Sequence, residues 1–277
     1  MEFSTFSILE KEGQLWVTID QDNINVVNWS FLEDLNKLAD ELETDNLVKV
    51  VIFQSAQDEV FLAHAAGDSF KDIKKEFPSS LEETRVLYLQ KTLERVSRLP
   101  QATISKIEGF ARGGGHEFAL ATDMRFAARG KAVFMQNEVG IGFLPFGGGS
   151  ARLARQVGLG KALEIILSAK DFNADEAEKL GTINKALDAN EIDRHVEELA
   201  NRIAKFPAGG IAAAKKTIYA SIDLPMEEAL RLETFQMYQS IATPDAGKRI
   251  KRLNEKDVAN NIELQRNWNT LIMEIQD

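Results

Sequence analysis

The first 55 residues alternate β-rich runs with one amphipathic helical segment. Residues 6–20 (FSILEKEGQLWVTID) contain two β-favouring runs separated by a turn at residues 11–13, which predicts a hairpin. Residues 30–45 carry apolar side chains at helical spacing, with Ser30 as the predicted N-cap. Residues 48–55 (VKVVIFQS) form a nearly continuous apolar run, which is typical of a strand buried on both faces. Strand, helix and strand in this order favour an α/β fold.

Further helices and strands are predicted around two glycine triplets, residues 113–115 and 147–149. Residues 67–80 are predicted to form an exposed, mobile connector, and residues 82–99 (EETRVLYLQKTLERVSRL) a long amphipathic helix. A strand over residues 102–110 leads into the first triplet. AVFMQNEVGIGF predicts a strand and a loop. Beyond the first triplet, helices are predicted at the start of HEFALATDMRFAAR and in GGGSARLARQVG, GKALEIILSA, NADEAEKLG (N-cap Asn173), GGIAAAKKTIYASI, PMEEALRLETFQMYQSIA and DVANNIELQRNWNTLIMEIQ.

The pattern is helical throughout after about residue 200, which divides the chain into an α/β body, residues 1–200, and a helical C-terminal segment, residues 201–277. Of the 277 residues, 44% are hydrophobic and 27% charged, as in globular proteins with a hydrophobic core. A net charge of −10 argues against nucleic acid or an anionic membrane as the main partner. The N-terminus lacks the pattern of a signal peptide, and no apolar run approaches a membrane span. A cytoplasmic protein is expected.

The absence of cysteine excludes disulfides, thiolate metal sites and cysteine nucleophiles, and three histidines leave little for a metal site. The first glycine triplet offers different chemistry, because glycines before a helix let the backbone approach a ligand. Free N–H groups at the helix start can then stabilise a negatively charged oxygen. The alternative interpretation is a tight turn that packs the helix on the strand.

Two carboxyl groups lie close to these glycines in the sequence. Glu117 falls in the first turn of the predicted helix, where the helix dipole also stabilises an acidic side chain. Glu138 lies among apolar residues in the sequence. Its side chain either faces solvent or is buried because it has a functional role. Two neighbouring carboxyl groups push their pKa values apart, so that one is charged while the other is protonated. Such a pair can take a proton from water and deliver another to an adjacent carbon.

The segments IEGFARGGGHEFALATDMRFAA, FMQNEVGIGFLPFGGGSARLARQVG and KALEIILSAKDFNADEAEKLGTINKAL strongly resemble the crotonase superfamily, which includes enoyl-CoA hydratases and isomerases. Looser similarity extends the resemblance to about residues 10–245. The resemblance implies a crotonase-like spiral of ββα units with a C-terminal helical segment used in trimer assembly. A homotrimer or a dimer of trimers is therefore expected. It also implies an acyl-CoA thioester as substrate, with no separate cofactor because coenzyme A is part of the substrate.

The same motifs imply roles for individual residues. The backbone N–H groups of Ala65 and Gly114 would form the oxyanion hole, and Glu117 and Glu138 match the two glutamates of hydratases. The matched segments also suggest substrate-binding positions, which are Ala63, His64, Lys71, Gly113 and Phe146. Lys71, Lys74 and Lys75 form a basic cluster that could meet the CoA phosphates, unless it is only a solvated charged face. No metal is expected.

Several positions depart from the family pattern. His64 replaces a usual glycine. It is interpreted as a phosphate contact or a tolerated substitution, with a bulky pocket wall as a further alternative and no catalytic role. Ala66 stands where the family has aspartate. Phe146 replaces a usual glycine and is expected to narrow or reshape the acyl pocket. His116 is interpreted as structural rather than as a base. The sequence beyond Gly247 lacks the family's usual ending.

The leading hypothesis is hydration of a 2-enoyl-CoA to the 3-hydroxyacyl-CoA. The resemblance also leaves open a double-bond isomerase, or other thioester-enolate chemistry, in which Glu138 alone moves the proton. A non-catalytic acyl-CoA-binding protein on the same fold is a third interpretation, favoured by the altered loop at His64 and by Phe146. Acyl chain length and pathway are not predicted.

Overall fold

The computed structural model describes residues 2–73, 77–256 and 258–275. Within these ranges the strands are β1 Phe6–Lys11, β2 Gln14–Ile19, β3 Val50–Ser55, β4 Val60–Leu62, β5 Ala102–Ile107, β6 Phe110–Arg112, β7 Met124–Ala128, β8 Val133–Met135, β9 Phe172–Asn173 and β10 Lys185–Leu187. The helices are α1 Trp29–Leu42, α2 Tyr88–Arg98, α3 Gly114–Ala121, α4 Gly149–Val157, α5 Leu159–Ser168, α6 Ala174–Leu180, α7 Ile192–Ala204, α8 Ala208–Ser221, α9 Met226–Ile241, α10 Pro244–Glu255, α11 Ile262–Arg266 and α12 Trp268–Glu274. Short 3-10 helices span Gly67–Phe70, Glu138–Ile141 and Val258–Asn260.

The strands of the described residues form a six-stranded sheet in the order β1-β2-β3-β5-β7-β10 and a four-stranded sheet in the order β4-β6-β8-β9. β1 and β2 pair antiparallel, as the predicted hairpin requires, and the other pairs of the larger sheet are parallel. Three successive ββα units, β3-β4-α2, β5-β6-α3 and β7-β8-α4, each give one strand to each sheet. This repetition confirms the predicted spiral of ββα units.

The apolar run of β3 is buried on both faces, as its sequence predicts. Val51 and Phe53 point into a core shared with α1, α2 and α3. Val50 and Ile52 point the other way, into a core covered by α7. Because side chains alternate along a strand, only a continuous apolar run can supply both cores.

Two predicted helix boundaries are wrong. α1 is capped by Asn28, whose side-chain oxygen accepts the N–H of Phe31 at 2.8 Å, so the predicted N-cap Ser30 lies inside the helix. α2 begins at Tyr88 rather than near residue 82. Leu87 before it is extended, and its N–H donates to the side chain of Gln90 at 2.9 Å.

The other helix predictions between the second triplet and α9 agree with the structure. Asn173 caps α6 as predicted, in a reciprocal capping box with Glu176. The last predicted helix is interrupted, because residues 258–274 form a 3-10 turn and two short helices, α11 and α12. The predicted connector at residues 67–80 contains the 3-10 helix Gly67–Phe70. Across the described residues, every helix is too short or too polar to span a bilayer.

The boundary at residue 200 between a body and a helical segment stays a prediction. Residue 200 lies within α7, and Val196 and Ala200 of that helix pack on the larger sheet. The helices from α8 onward follow Pro207, which stands at the N-cap of α8.

α8 is attached to the sheet through one buried carboxylate. Asp123 accepts the N–H of Thr103, the hydroxyl of Tyr219 and the ammonium of Lys215, each at 2.8 Å. Lys215 also donates to the carbonyl of Gln101 at 2.9 Å. The side chains of Asp123 and Lys215 are only 15% and 10% exposed, so neither charge is well solvated without the other.

We expect Asp123→Asn to lower the free energy of unfolding by about 3–5 kcal/mol, because it leaves the buried ammonium of Lys215 without its counter-charge. Chemical denaturation measures this loss. The matched control is Glu198→Gln, which breaks the exposed pair with Arg194 in α7 and should cost less than about 0.5 kcal/mol. Equal effects of the two substitutions would contradict the anchoring role of Asp123.

Candidate active site

The backbone of Gly114 lies directly against Ala65. A β-carbon at Gly114 would stand 2.6 Å from Cβ of Ala65 and 2.9 Å from its amide nitrogen. Ala65 follows β4 and forms a parallel bridge with Val27. That bridge uses the carbonyl of His64 and the N–H of Ala66, so the N–H of Ala65 points to the opposite side. Gly114 is the first residue of α3, and its N–H has no acceptor within the helix. Among the described residues neither of these N–H groups donates a hydrogen bond, and their backbones lie next to each other.

The carboxyl group of Glu138 lies next to Gly113, the residue before Gly114. The φ of +48° at Gly113 favours glycine, and a β-carbon there would stand 2.7 Å from Oδ1 of Asn137 and 3.1 Å from Oε1 of Glu138. Glu138 begins the 3-10 helix Glu138–Ile141 and is only 6% exposed. Its Oε2 is buried and has no partner among the described residues. The sequence left open whether Glu138 faces solvent, and the structure buries it next to the first triplet.

The second glycine triplet surrounds the carboxyl group of Glu117. Glu117 lies in the first turn of α3, and its Oε1 accepts the N–H of Gly149 at 2.8 Å. A β-carbon at Gly147 would collide with Oε2, and one at Gly149 would stand 2.9 Å from Oε1. The glycines therefore allow the loop before α4 to close around the carboxyl, which is 2% exposed.

Burial changes the acidity of both glutamates. Burial raises the pKa of Glu117 to about 7, and the charge of Glu138 adds to this rise. Burial likewise raises the pKa of Glu138 above its ordinary value. Glu117 therefore changes its protonation state near neutral pH, and Glu138 is harder to ionise than an exposed glutamate, which suits a site that both takes and gives a proton.

Residues 10–261 match the sequence profile of the enoyl-CoA hydratase/isomerase family. The chain belongs to this family. It is 32% identical over 241 residues to the short-chain-enoyl-CoA hydratase of Clostridium acetobutylicum, covering 86% of this chain and 90% of that protein. It is 30% identical over 256 residues to the crotonyl-CoA hydratase of Syntrophomonas wolfei, covering 91% and 96%. The structure of an enoyl-CoA hydratase from Geobacillus kaustophilus superposes with a TM-score of 0.83 at 25% identity, covering 92% of this chain and 96% of the other.

His116, between the first triplet and Glu117, is fully buried in this family member. Its ring packs on Phe134 and Phe172, with centroids 5.4 and 5.7 Å away. The amide nitrogen of Gln136 donates to Nδ1 at 3.0 Å. Burial, together with the charge of Arg125, lowers the pKa of His116 to about 3. A neutral, packed ring favours the structural interpretation over a role as a base.

The predicted substrate-binding residues before α2 differ in exposure. Ala63 is half-buried and its N–H donates to Asn25, whereas the side chain of His64 is exposed. Lys71 is exposed, with its ammonium 5.5 Å from the ring centre of Trp29 and 3.8 Å from Asp68. Lys74 and Lys75, predicted to share its basic cluster, lie outside the described residues. Contact of any of these residues with substrate stays a prediction.

Phe146 directly precedes the triplet that holds Glu117 and is half-buried. Its ring lies 5.3 Å from that of Phe70, at the end of the 3-10 helix that follows Ala65. The sequence indicated Phe146 but contained no signal for Phe70. The contacts of Gly147 and Gly149 with Glu117 were not predicted either, although the second triplet lies near an acidic residue in the sequence. The described part of the chain brings no three His, Asp or Glu side chains together in a way that could hold a metal ion.

We expect the carboxyl group of Glu117 to titrate near pH 7, as measured by carbon-13 NMR of labelled glutamate and assigned by the signal lost in Glu117→Gln. In Glu138→Gln the midpoint should fall, because one charge that raises the pKa of Glu117 is gone, but burial should keep it above the ordinary glutamate value of 4.5. Since the folded state binds this proton more tightly than the unfolded state, wild type should lose stability relative to Glu117→Gln as pH rises from about 4.5 to 7. A midpoint at 4.5 in wild type would contradict the described burial.

Proposed function

We propose that this chain catalyses the addition of water to the double bond of a 2-enoyl-CoA thioester, giving the 3-hydroxyacyl-CoA. The observation that carries the proposal is the close approach of the backbones of Ala65 and Gly114, with the buried carboxyl of Glu138 next to Gly113 and buried Glu117 in the first turn of α3. Membership of the hydratase/isomerase family and the two hydratase relatives support it.

The thioester oxygen would accept both N–H groups, which stabilise it as negative charge moves onto it. Water, held by the two glutamates, gives its proton to the ionised carboxyl while its oxygen bonds to C3. The electron pair of the double bond forms the enolate, and the protonated carboxyl gives its proton to C2. One glutamate gains a proton and the other loses one, so transfer between the pair or with solvent restores the starting state. Coenzyme A enters as part of the substrate, and we expect no separate cofactor.

A double-bond isomerase is the second candidate, supported by the isomerases that the family name includes. In that reaction Glu138 alone would move the proton, and Glu117 would be dispensable. Gly147 and Gly149 enclose the carboxyl of Glu117, and Gly149 donates a hydrogen bond to it. This supports hydration, because burying a carboxyl that has no role in the reaction would only cost desolvation energy. The same enclosure counts against an acyl-CoA-binding protein without catalysis.

A homotrimer or a dimer of trimers forms part of this proposal. Large apolar side chains are exposed on the single chain, on α5 at Leu159, Leu163 and Leu167 and on α9 at Leu230, Phe235 and Tyr238. The spacing of Leu159, Leu163 and Leu167 places three exposed apolar side chains on one face of α5, and such a face favours contact between copies of the chain. A cytoplasmic location stays a prediction.

We expect Glu117→Gln and Glu138→Gln each to lower kcat for hydration of crotonyl-CoA by about 10²–10⁴-fold, with a much smaller change in KM. The amide keeps the shape of the side chain and removes its proton transfer. Loss of absorbance of the conjugated thioester measures the rate. Glu41→Gln, on the exposed face of α1, is the control. If Glu117→Gln keeps wild-type turnover of a 3-enoyl-CoA, the isomerase replaces the hydratase as the leading function.

We expect Gly114→Ala to lower kcat about 10²–10³-fold, because its β-carbon would push Ala65 away and separate the two N–H donors. Gly210→Ala is the matched control, since a β-carbon there meets nothing within 4 Å in α8. Circular dichroism verifies that both variants fold. A folded Gly114→Ala variant with wild-type kcat would rule out the paired donors as the oxyanion site.

A further inference from the structure

We propose that Phe70 and Phe146 together close the acyl side of this site, so that the enzyme acts on short acyl chains and excludes long ones. This inference rests on the proposed function and adds a substrate class to it. The ring pair connects the segment that follows Ala65 to the loop that encloses Glu117.

Phe146 belongs to the loop that encloses Glu117. A thioester oxygen at Ala65 and Gly114 places C3 near the glutamates, and the fourth carbon then extends past them. Glu117 is enclosed by the loop that starts with Pro145, and Gly147 of this loop touches its carboxyl. Phe146 directly precedes Gly147, so an acyl chain that extends past Glu117 would meet this loop at Phe146.

Phe70 lies in the segment that follows Ala65. It ends the 3-10 helix Gly67–Phe70, only five positions after the oxyanion donor Ala65. That helix is fixed by Ser69, which is buried and donates from Oγ to the carbonyl of Ala66 at 2.6 Å. The ring of Phe70 therefore has a defined place relative to the N–H of Ala65.

The two rings are in contact, with centroids 5.3 Å apart and planes tilted by 42°. Rings in this arrangement leave no slot for a chain between them. Both residues also pack against the main apolar core, which limits how far either ring can turn away. Phe143 lies on the outer side, 6.1 Å from Phe146 and 41% exposed, so it extends the aromatic group without forming its inner wall.

The test compares kcat/KM for crotonyl-CoA, 2-hexenoyl-CoA and 2-octenoyl-CoA with the full-length wild-type chain. In an open apolar pocket each further buried methylene would raise kcat/KM about fourfold. With the wall closed, we expect octenoyl-CoA to react at least ~10-fold less efficiently than crotonyl-CoA.

Two substitutions open the wall from opposite sides. We expect Phe146→Gly and Phe70→Ala each to raise the octenoyl-to-crotonyl ratio of kcat/KM by about 10-fold or more. Phe143→Ala, which removes a ring outside the wall, should leave the ratio unchanged. Because the readout is a ratio, a general loss of activity does not imitate the effect. If one wall variant fails to fold, the other variant and the wild-type series decide.

The outcomes separate the inference from the function beneath it. Wild type that hydrates octenoyl-CoA as well as crotonyl-CoA, or wall variants with an unchanged ratio, would overturn the wall while leaving hydration in place. Absence of hydration with every enoyl-CoA would instead overturn the proposed function.

Discussion

The active site depends on the absence of three consecutive β-carbons. Gly115 lies against the carbonyl of Leu62 in β4, Gly114 against Ala65, and Gly113 against the side chains of Asn137 and Glu138. Each glycine of the first triplet thus meets a different segment, and any side chain there would force that segment away. The start of α3 is consequently the point where Ala65, Glu138 and the backbone of Gly114 come together, which are three parts of the proposed site.

The hydrophobic core holds α3 in this position. Phe118, the residue after Glu117, packs edge-on against Phe31 of α1 and Phe53 of β3, with ring centroids 5.4 and 5.1 Å away. Every residue of α3 is buried. The guanidinium of Arg125 donates to the carbonyls of Ala119 and Thr122 at the end of the helix. The same enclosure that fixes Glu117 removes water from its carboxyl and raises its pKa, so packing and acidity have one cause.

Much of the fold could be predicted because its signals are local. The hairpin, the doubly buried strand β3 and the cap at Asn173 each follow from a few adjacent residues. The errors arose where distant contacts or competing caps decide. The N-cap of α1 is Asn28 and not Ser30, because the side chain of Asn28 accepts the N–H of Phe31. Helix α2 starts at Tyr88, whose N–H donates to the side chain of Asp72 in another segment. The resemblance supplied Ala65 and Gly114, whereas residue pattern alone reached only a glycine turn beside two acids.

The sequence by itself determined the α/β class, the family, and the two glutamates and two triplets from which a site could be built. Only the tertiary structure decided which triplet serves which glutamate, because Gly113 contacts the distant Glu138 while Gly147 and Gly149 enclose Glu117. It also decided that Phe70 meets Phe146, residues 76 positions apart in the chain. Local pattern reports the spacing of apolar side chains along one element. Contacts between loops depend on how the ββα units stack, which no single segment of the sequence encodes.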